Sequence, residues 1–252
     1  MASKIVVVLL EGPEGRAERR RRVVDELAPA LVDDGAARVQ LCVADEAADV
    51  RGPSPFAPGD VDPVALLSLW LEDDAIEGAL SRCREAGFVA HAWRVESDVY
   101  TDYGEHPAHG ARDWPDGERS PTVTSVNFLE RPASIPLDAW IERWRGRMSP
   151  VSAELQPRVR YVRNLLTEPL TDGAPPWQAI VEEVWPTPSH VANPFRFYGA
   201  SNPLSLMVNM TRVLAAVVSF IRPWRVRAAM MSEYFVHTEG ESVPAERRPQ
   251  SA

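Results

Sequence analysis

Hydrophobic positions along this chain follow two periods, and their order predicts its elements. Residues 5–10 (IVVVLL) are a continuous apolar run rich in β-branched side chains, which predicts a buried strand. Over residues 17–33, Val23, Val24, Leu27, Ala28, Leu31 and Val32 fall on one stripe at helical spacing. Short strands follow at 39–43 and 65–71. Asp73 and Asp74 then precede Ile76, Ala79, Leu80 and Cys83, a helix with acids where its dipole favours them, and Gly87 stands where a helix ends. Residues 90–100 alternate, with Trp93, Val95 and Val99 opposite Arg94, Glu96, Asp98 and Tyr100. This order, β-α-β-β-α-β, is the ferredoxin-like split unit.

The second half gives the same order. Strands are predicted at 122–129, 159–165, 179–185 and 227–237. Pro136 opens a helix with Leu137, Trp140, Ile141 and Trp144 on one face, and a second helix, 204–221, stops before Pro223. Short matches recur in sequence order: VLLEGPEG (8–15) with NFLERPAS (127–134), LLSLWLED (66–73) with VEEVWPTP (181–188), ESDVYTDYGE (96–105) with MSEYFVHTEGE (231–241). They align Trp70 with Trp185 and Tyr100 with Phe235. The expected fold is α+β, with two tandem ferredoxin-like (β-α-β-β-α-β) units pairing their sheets into an α+β barrel. The units are residues 1–104 and 122–238, with a linker at 105–121 and a disordered tail at 239–252.

Each unit leaves one sheet face uncovered, and pairing those faces closes a barrel within one chain. The expected ligand cavity lies between the sheets. With the apolar rows against the helices, Arg94, Glu96, Asp98 and Tyr100 face inward in the first unit. Met231, Glu233, Phe235 and His237 do so in the second, as do Ser68, Trp70, Glu183 and Trp185. Leu67, Leu69 and Leu71 face the helices. A one-residue slip reverses every such assignment.

Composition narrows the class. The 252 residues are 45% hydrophobic and 25% charged, as in a folded soluble protein, and the formal charge of −9 argues against a dedicated nucleic-acid binder. The 23 prolines cluster at 51–63, at 104–121 and in the tail, marking loops. Two cysteines, Cys42 and Cys83, exclude a disulfide framework and suit the cytoplasm. The apolar run 214–221 is too short to cross a membrane, and the run 5–10 is too short for a signal peptide. Phosphate-cradling, dinucleotide, nucleophile-elbow and CxxC motifs are absent, which argues against nucleotide, Rossmann-type flavin and serine-hydrolase chemistry; no cofactor is expected. His106 and His109, near Asp102, Glu105 and Asp113, fit no zinc spacing, so no metal is expected.

The stretch FLERPASIPLDAWIERWRGRMSPVSAELQPRVRYVRN (128–164), followed by QAIVEEVWPTP (178–188), resembles the EthD-type family of the dimeric α+β barrel superfamily. The resemblance spans roughly 122–236 and implies ferredoxin-like units paired into a barrel. It also implies kinship with cofactor-free cyclases, monooxygenases, dehydratases and decarboxylases acting on small aromatic or polyketide-like compounds. Family members often carry a histidine near the end of the first helix. Here the matching stretch is RMSP and Met148 stands in that place. A thioether cannot exchange protons.

The remaining candidates are individual residues. Glu182 and Glu183 are strand neighbours, so only one faces a cavity, and Glu183 there is a general base or else a solvated or paired glutamate. His237 and His190 are the histidines placed to replace the missing one. Of Arg163 and Asn164, one points inward, to hold a carbonyl oxygen or to pair with neighbours. Trp70 and Trp185 recur at matched positions and are expected to touch ligand, with Arg94, Tyr100 and Phe235 beside them. Trp140 and Trp144, four apart on one helix, read as core. Segment 194–199 (PFRFYG) is a lid or a packed loop. The expected function is proton transfer (cyclisation, dehydration or decarboxylation) on a small apolar compound held between the sheets, or non-catalytic binding of one. A monomeric barrel suffices, with pairing through helix faces left open.

Overall fold

The computed structural model describes residues 2–12, 15–52, 63–105 and 109–238. The tail, His106 and most of the first proline cluster lie outside them.

The strands are β1 (Ser3–Leu10), β2 (Arg38–Val43), β3 (Pro63–Leu71), β4 (Val89–Thr101), β5 (Val123–Leu129), β6 (Arg160–Pro169), β7 (Ala179–Trp185) and β8 (Arg227–His237). They close into an antiparallel barrel in the order β1-β3-β2-β8-β5-β7-β6-β4. Each half therefore has the strand order of a ferredoxin-like sheet. Two seams join the halves, β2 with β8 (Cys42 opposite Glu233) and β4 with β6 (Ser97 opposite Asn164). The barrel closes within one chain, leaving no sheet edge to be covered. The α+β barrel expected from the sequence is the fold observed.

The helices sit outside: α1 (16–33), α2 (Ile76–Glu85), α3 (137–155), α4 (Pro188–Ala192), α5 (Pro194–Phe197) and α6 (Pro203–Val218). Both α1 and α3 carry an internal proline, Pro29 and Pro150. Such a proline lacks an N–H and presses on the carbonyl four residues earlier. The backbone answers with a wider turn just ahead of each. The Ala28 N–H reaches the Val23 carbonyl and the Ser149 N–H reaches that of Trp144, so neither helix breaks. In α3 that wide turn carries Trp144 and Met148. Asn202 and Ser205 form a reciprocal cap at the start of α6, with Pro203 at its first position.

The barrel interior has an apolar end and a polar end. At the apolar end Val6, Val8, Leu66, Ile180 and Met231 surround Trp93, Phe128 and Trp177. The Trp177 ring lies 4.4 Å from Phe128 and 5.6 Å from Trp93 between centroids. Side chains thus fill this end of the space where the sequence placed a ligand.

Facing directions follow the expectation in part. Leu67, Leu69 and Leu71 pack with the helices, and Ser68, Trp70, Met231, Glu233 and Phe235 belong to the inner rows. Strand β4 reverses the expectation. Trp93 and Val95 face the interior, and Arg94, Glu96, Asp98 and Tyr100 face out. Its polar row pairs across the barrel's outer surface: Arg94 with Asp73 (2.8 Å) and Glu168 (3.1 Å), Glu96 with Arg145 (2.6 Å), and Asp98 with Arg163. That alternation records ion pairing on the outer surface, mostly with the second half, not a cavity. In β7, Glu182 faces the interior while Glu183 and Trp185 face out. Trp70 lies opposite inward-facing Lys4, but Trp185 lies opposite outward-facing Val123. The matched tryptophans are therefore on opposite faces, offset by one residue.

Candidate functional site

A cavity of about 620 Å³ lies on the outer face of the second half's sheet. Strands β5, β6 and β7 make its floor, and α3 and α6 its walls. It exists because α6 stands off the sheet. Only Val213 and Ala216 of that helix are buried, while Met207, Met210 and Leu214 line open space. Leu129, Val181, Phe220 and Ile221 complete an apolar lining, and Met148 lies in the wall.

Polar groups converge at one side of the floor. Glu183 Oε2 accepts from Asn127 Nδ2 at 3.1 Å, and its Oε1 accepts from Arg158 Nη1. Arg158 also donates to Ser152 Oγ (2.6 Å) and lies 4.0 Å above the Tyr161 ring. Trp144 Nε1 donates to the Tyr161 hydroxyl at 3.2 Å, and burial raises the pKa of that phenol. Gln156 also lines the cavity. It is 5% exposed and its Oε1 has no partner, so it is an acceptor awaiting a donor.

The sequence candidates are dispersed. Glu183 reaches the cavity, although on the face opposite to the one expected. His190 bonds Thr187 Oγ1 (2.9 Å) outside the cavity, its pKa lowered by burial and then by Arg196. His237 ends β8 opposite Val39, also away from it. Arg163 points outward under α3, bonding Ser149 Oγ (3.0 Å) and pairing with Asp98, with the Tyr100 ring 4.4 Å away. Asn164 points into the barrel. Phe235 sits at the barrel's polar end against Tyr103 and Trp114. Trp140 and Trp144 are core, as expected. Trp185 stacks on Phe197 at 4.6 Å, bracing the cavity wall from behind.

Within segment 194–199, Asn193 caps α5, and Phe197 with Tyr198 lines the cavity. Gly199 has φ +56°, and a Cβ there would stand 2.4 Å from the Leu155 carbonyl oxygen. Gly199→Ala is expected to destabilise by about 1–3 kcal/mol, as for overpacking, and to displace both aromatic rings. An unchanged midpoint in urea unfolding would show that this loop yields freely.

The polar end of the barrel forms a second cluster. Lys4 Nζ donates to Asn164 Oδ1 (2.8 Å) and Ser97 Oγ (3.0 Å), and Asn164 Nδ2 donates to Glu182 Oε1 (2.9 Å). Arg160 donates to Glu233 Oε1 (2.8 Å) and Asp102 Oδ1 (3.1 Å), and the Tyr103 hydroxyl donates to Glu233 Oε2 (2.5 Å). Burial raises the pKa of Glu233, and burial with Glu233 raises that of Tyr103. Gly117 and Ser120, from the segment expected to be a linker, pack here, their N–H groups bonding the Phe235 and Glu233 carbonyls.

Sequence reasoning passed over Asn127, Gln156, Arg158, Lys4, Arg160 and Trp177. Charged residues inside otherwise apolar strands were the available signal for Lys4 and Arg160.

No family model and no curated protein matches the chain. Among solved structures it is similar to an anthrone oxidase-like protein, at 13% identity and TM-score 0.55 over 97% of each chain. It is also similar to a dye-decolorizing protein from V. cholerae (10%, TM-score 0.41, 94% of each). A chlorite dismutase from Candidatus Nitrospira defluvii is a third (12%, TM-score 0.45, 91% of this chain and 90% of that one). The first likeness extends along nearly the whole length and concerns the fold.

Proposed function

We propose that the outer cavity binds a small, largely apolar or aromatic compound and that Glu183 moves a proton on it, without a cofactor. The observation that carries this is a carboxylate fixed by Asn127 and Arg158 in an otherwise apolar cavity wall. Each Glu183 oxygen retains a lone pair beyond its one hydrogen bond. Gln156 Oε1 offers an acceptor for a ligand hydroxyl. Abstraction next to a carbonyl would open cyclisation or dehydration, and return of a proton to an enolate left by loss of CO2 would complete a decarboxylation. The resemblance of residues 122–236 to the EthD-type family agrees with this reading.

A second reading, non-catalytic binding, is favoured by Met148. It lies in the cavity wall where the family pattern has a histidine, and no histidine among the described residues lines that cavity.

The test uses 2-tetralone, an apolar enolisable ketone, in deuterated buffer. Wild-type protein is expected to bind it and to accelerate deuterium exchange at its acidic carbon. Glu183→Gln should bind it yet lose on the order of 100-fold in exchange, the lower range for general base catalysis. Equal exchange by both proteins removes Glu183 from the reaction. Binding with no wild-type exchange establishes the second reading.

A further inference from the structure

The polar end of the barrel holds a group that the outer cavity does not use. Lys4 is the only lysine in the sequence. It stands half-buried at the barrel mouth with Trp70 and Arg38, beside exposed Ser97 and Val99. Its Nζ has Asn164 Oδ1 and Ser97 Oγ as acceptors and lies 5.1 Å from the Trp70 ring centroid. Among the described residues it has no ion-pair partner, and Glu182 accepts from Asn164 instead. Two acceptors match the two N–H bonds of a neutral amine and leave its lone pair undirected. An ammonium would turn its third N–H to the Trp70 face or to water at the mouth.

The surroundings agree with this geometry. Burial pulls the Lys4 pKa down to about 8, Arg160 of β6 and Arg38 of β2 also lowering it while Glu182 of β7 raises it. Cys42 of β2 is a buried thiol whose own pKa is raised by burial and by Glu182, and Glu233 of β8 is engaged by Arg160.

A separate observation points to a ligand. Gln40 lies on the inner row of β2, one step from Arg38, opposite Ser68, where Arg38 is opposite Trp70. It is 5% exposed and its Nε2 has no partner. A buried donor of this kind calls for an acceptor.

We propose that the polar mouth of the barrel is a second ligand site, at which Lys4 forms an imine with a small 2-oxo acid or aldehyde acid. The Lys4 nitrogen attacks the carbonyl carbon. A C=N bond forms, and the carbonyl oxygen leaves as water with the two amine hydrogens, so nothing is oxidised or reduced. Gln40 Nε2 donates to the ligand carboxylate. This site is on the other face of the sheet from Glu183, so its failure leaves the outer cavity's function untouched.

The probe is glyoxylate with sodium cyanoborohydride, applied to the full chain at pH 7, folded and urea-unfolded, with adducts located by peptide mass spectrometry. A lysine titrating near pH 8 is ~10% neutral at pH 7, and an ordinary one ~0.03%. Propionaldehyde, which lacks the carboxylate, should therefore modify position 4 on the order of 100-fold faster in the folded protein. Glyoxylate, giving carboxymethyllysine, should exceed that acceleration, and Gln40→Leu should bring it down to the propionaldehyde level. Equal rates in folded and unfolded chains, or no adduct at position 4, overturn the proposal. Equal acceleration of the two aldehydes overturns the carboxylate subsite.

Discussion

Arg160→Met is expected to lower the unfolding free energy by about 3–5 kcal/mol, the cost of removing one partner from a buried ion pair. Arg160 is 3% exposed and reaches Glu233 (2.8 Å), Asp102 (3.1 Å) and Glu182 (3.8 Å). Without it, Glu182 and Glu233 remain inside the barrel with Tyr103, Asn164 and Cys42 as neighbours and without the guanidinium that pairs with them. The midpoint of thermal unfolding should fall by roughly 10 °C for a chain of this size. The sign of the pH dependence is fixed by the same groups. The pKa of Glu233 is already raised by burial, and losing Arg160 raises it further. A carboxyl with a raised folded pKa costs nothing below its unfolded value and costs progressively more as pH climbs through the folded one. The deficit of Arg160→Met should therefore be smaller near pH 4.5 than at pH 7. Pairing it with Glu233→Leu should recover part of the loss, because most of the cost is an orphaned charge. A deficit below about 1 kcal/mol at pH 7, typical of an exposed pair, would mean that water solvates these carboxylates in the folded state.

Strand and helix positions were legible because period and punctuation agree. The runs at 5–10 and 179–185, the Asp73–Asp74 helix start and the Pro223 stop all correspond to observed elements. Facing direction was less legible. In a closed barrel both faces of a strand are covered, so a polar row does not identify the inner one. On β4 the polar row meets Arg145 and Arg163 of the second half, a contact invisible without the fold. On β7 the strand is apolar on both sides of its glutamate pair, and the alignment of Trp185 with Trp70 slipped by one residue. The cavity was missed for a related reason. Its size depends on how far α6 stands from the sheet, and a helix that is apolar almost all round does not reveal which stripe touches which surface. Glu183 lies in an apolar cavity wall, on the face opposite to the one expected, and its partners come from β5 and from Arg158 just before β6, with no local pattern linking them to it.

Trp177→Ala is expected to destabilise by about 3–5 kcal/mol, the range for a buried large aromatic cut to alanine. Trp177 sits in the β6–β7 connection after Pro175 and Pro176, whose fixed φ angles hold the turn in place. Its ring enters the apolar end of the barrel against Phe128 and Trp93. These three rings, with Leu66, Ile180 and Met231, close that end. Removing the indole leaves a hole that barrel staves fixed by ladder hydrogen bonds cannot collapse to fill. Phe128 and Trp93 come from different halves, so the plug also joins them across the interior. The loss should appear as a lower urea midpoint and as faster hydrogen exchange in β5 and β4, the strands carrying those rings. Exchange rising only within the 170–178 connection would show that the ring covers the barrel end without sustaining it.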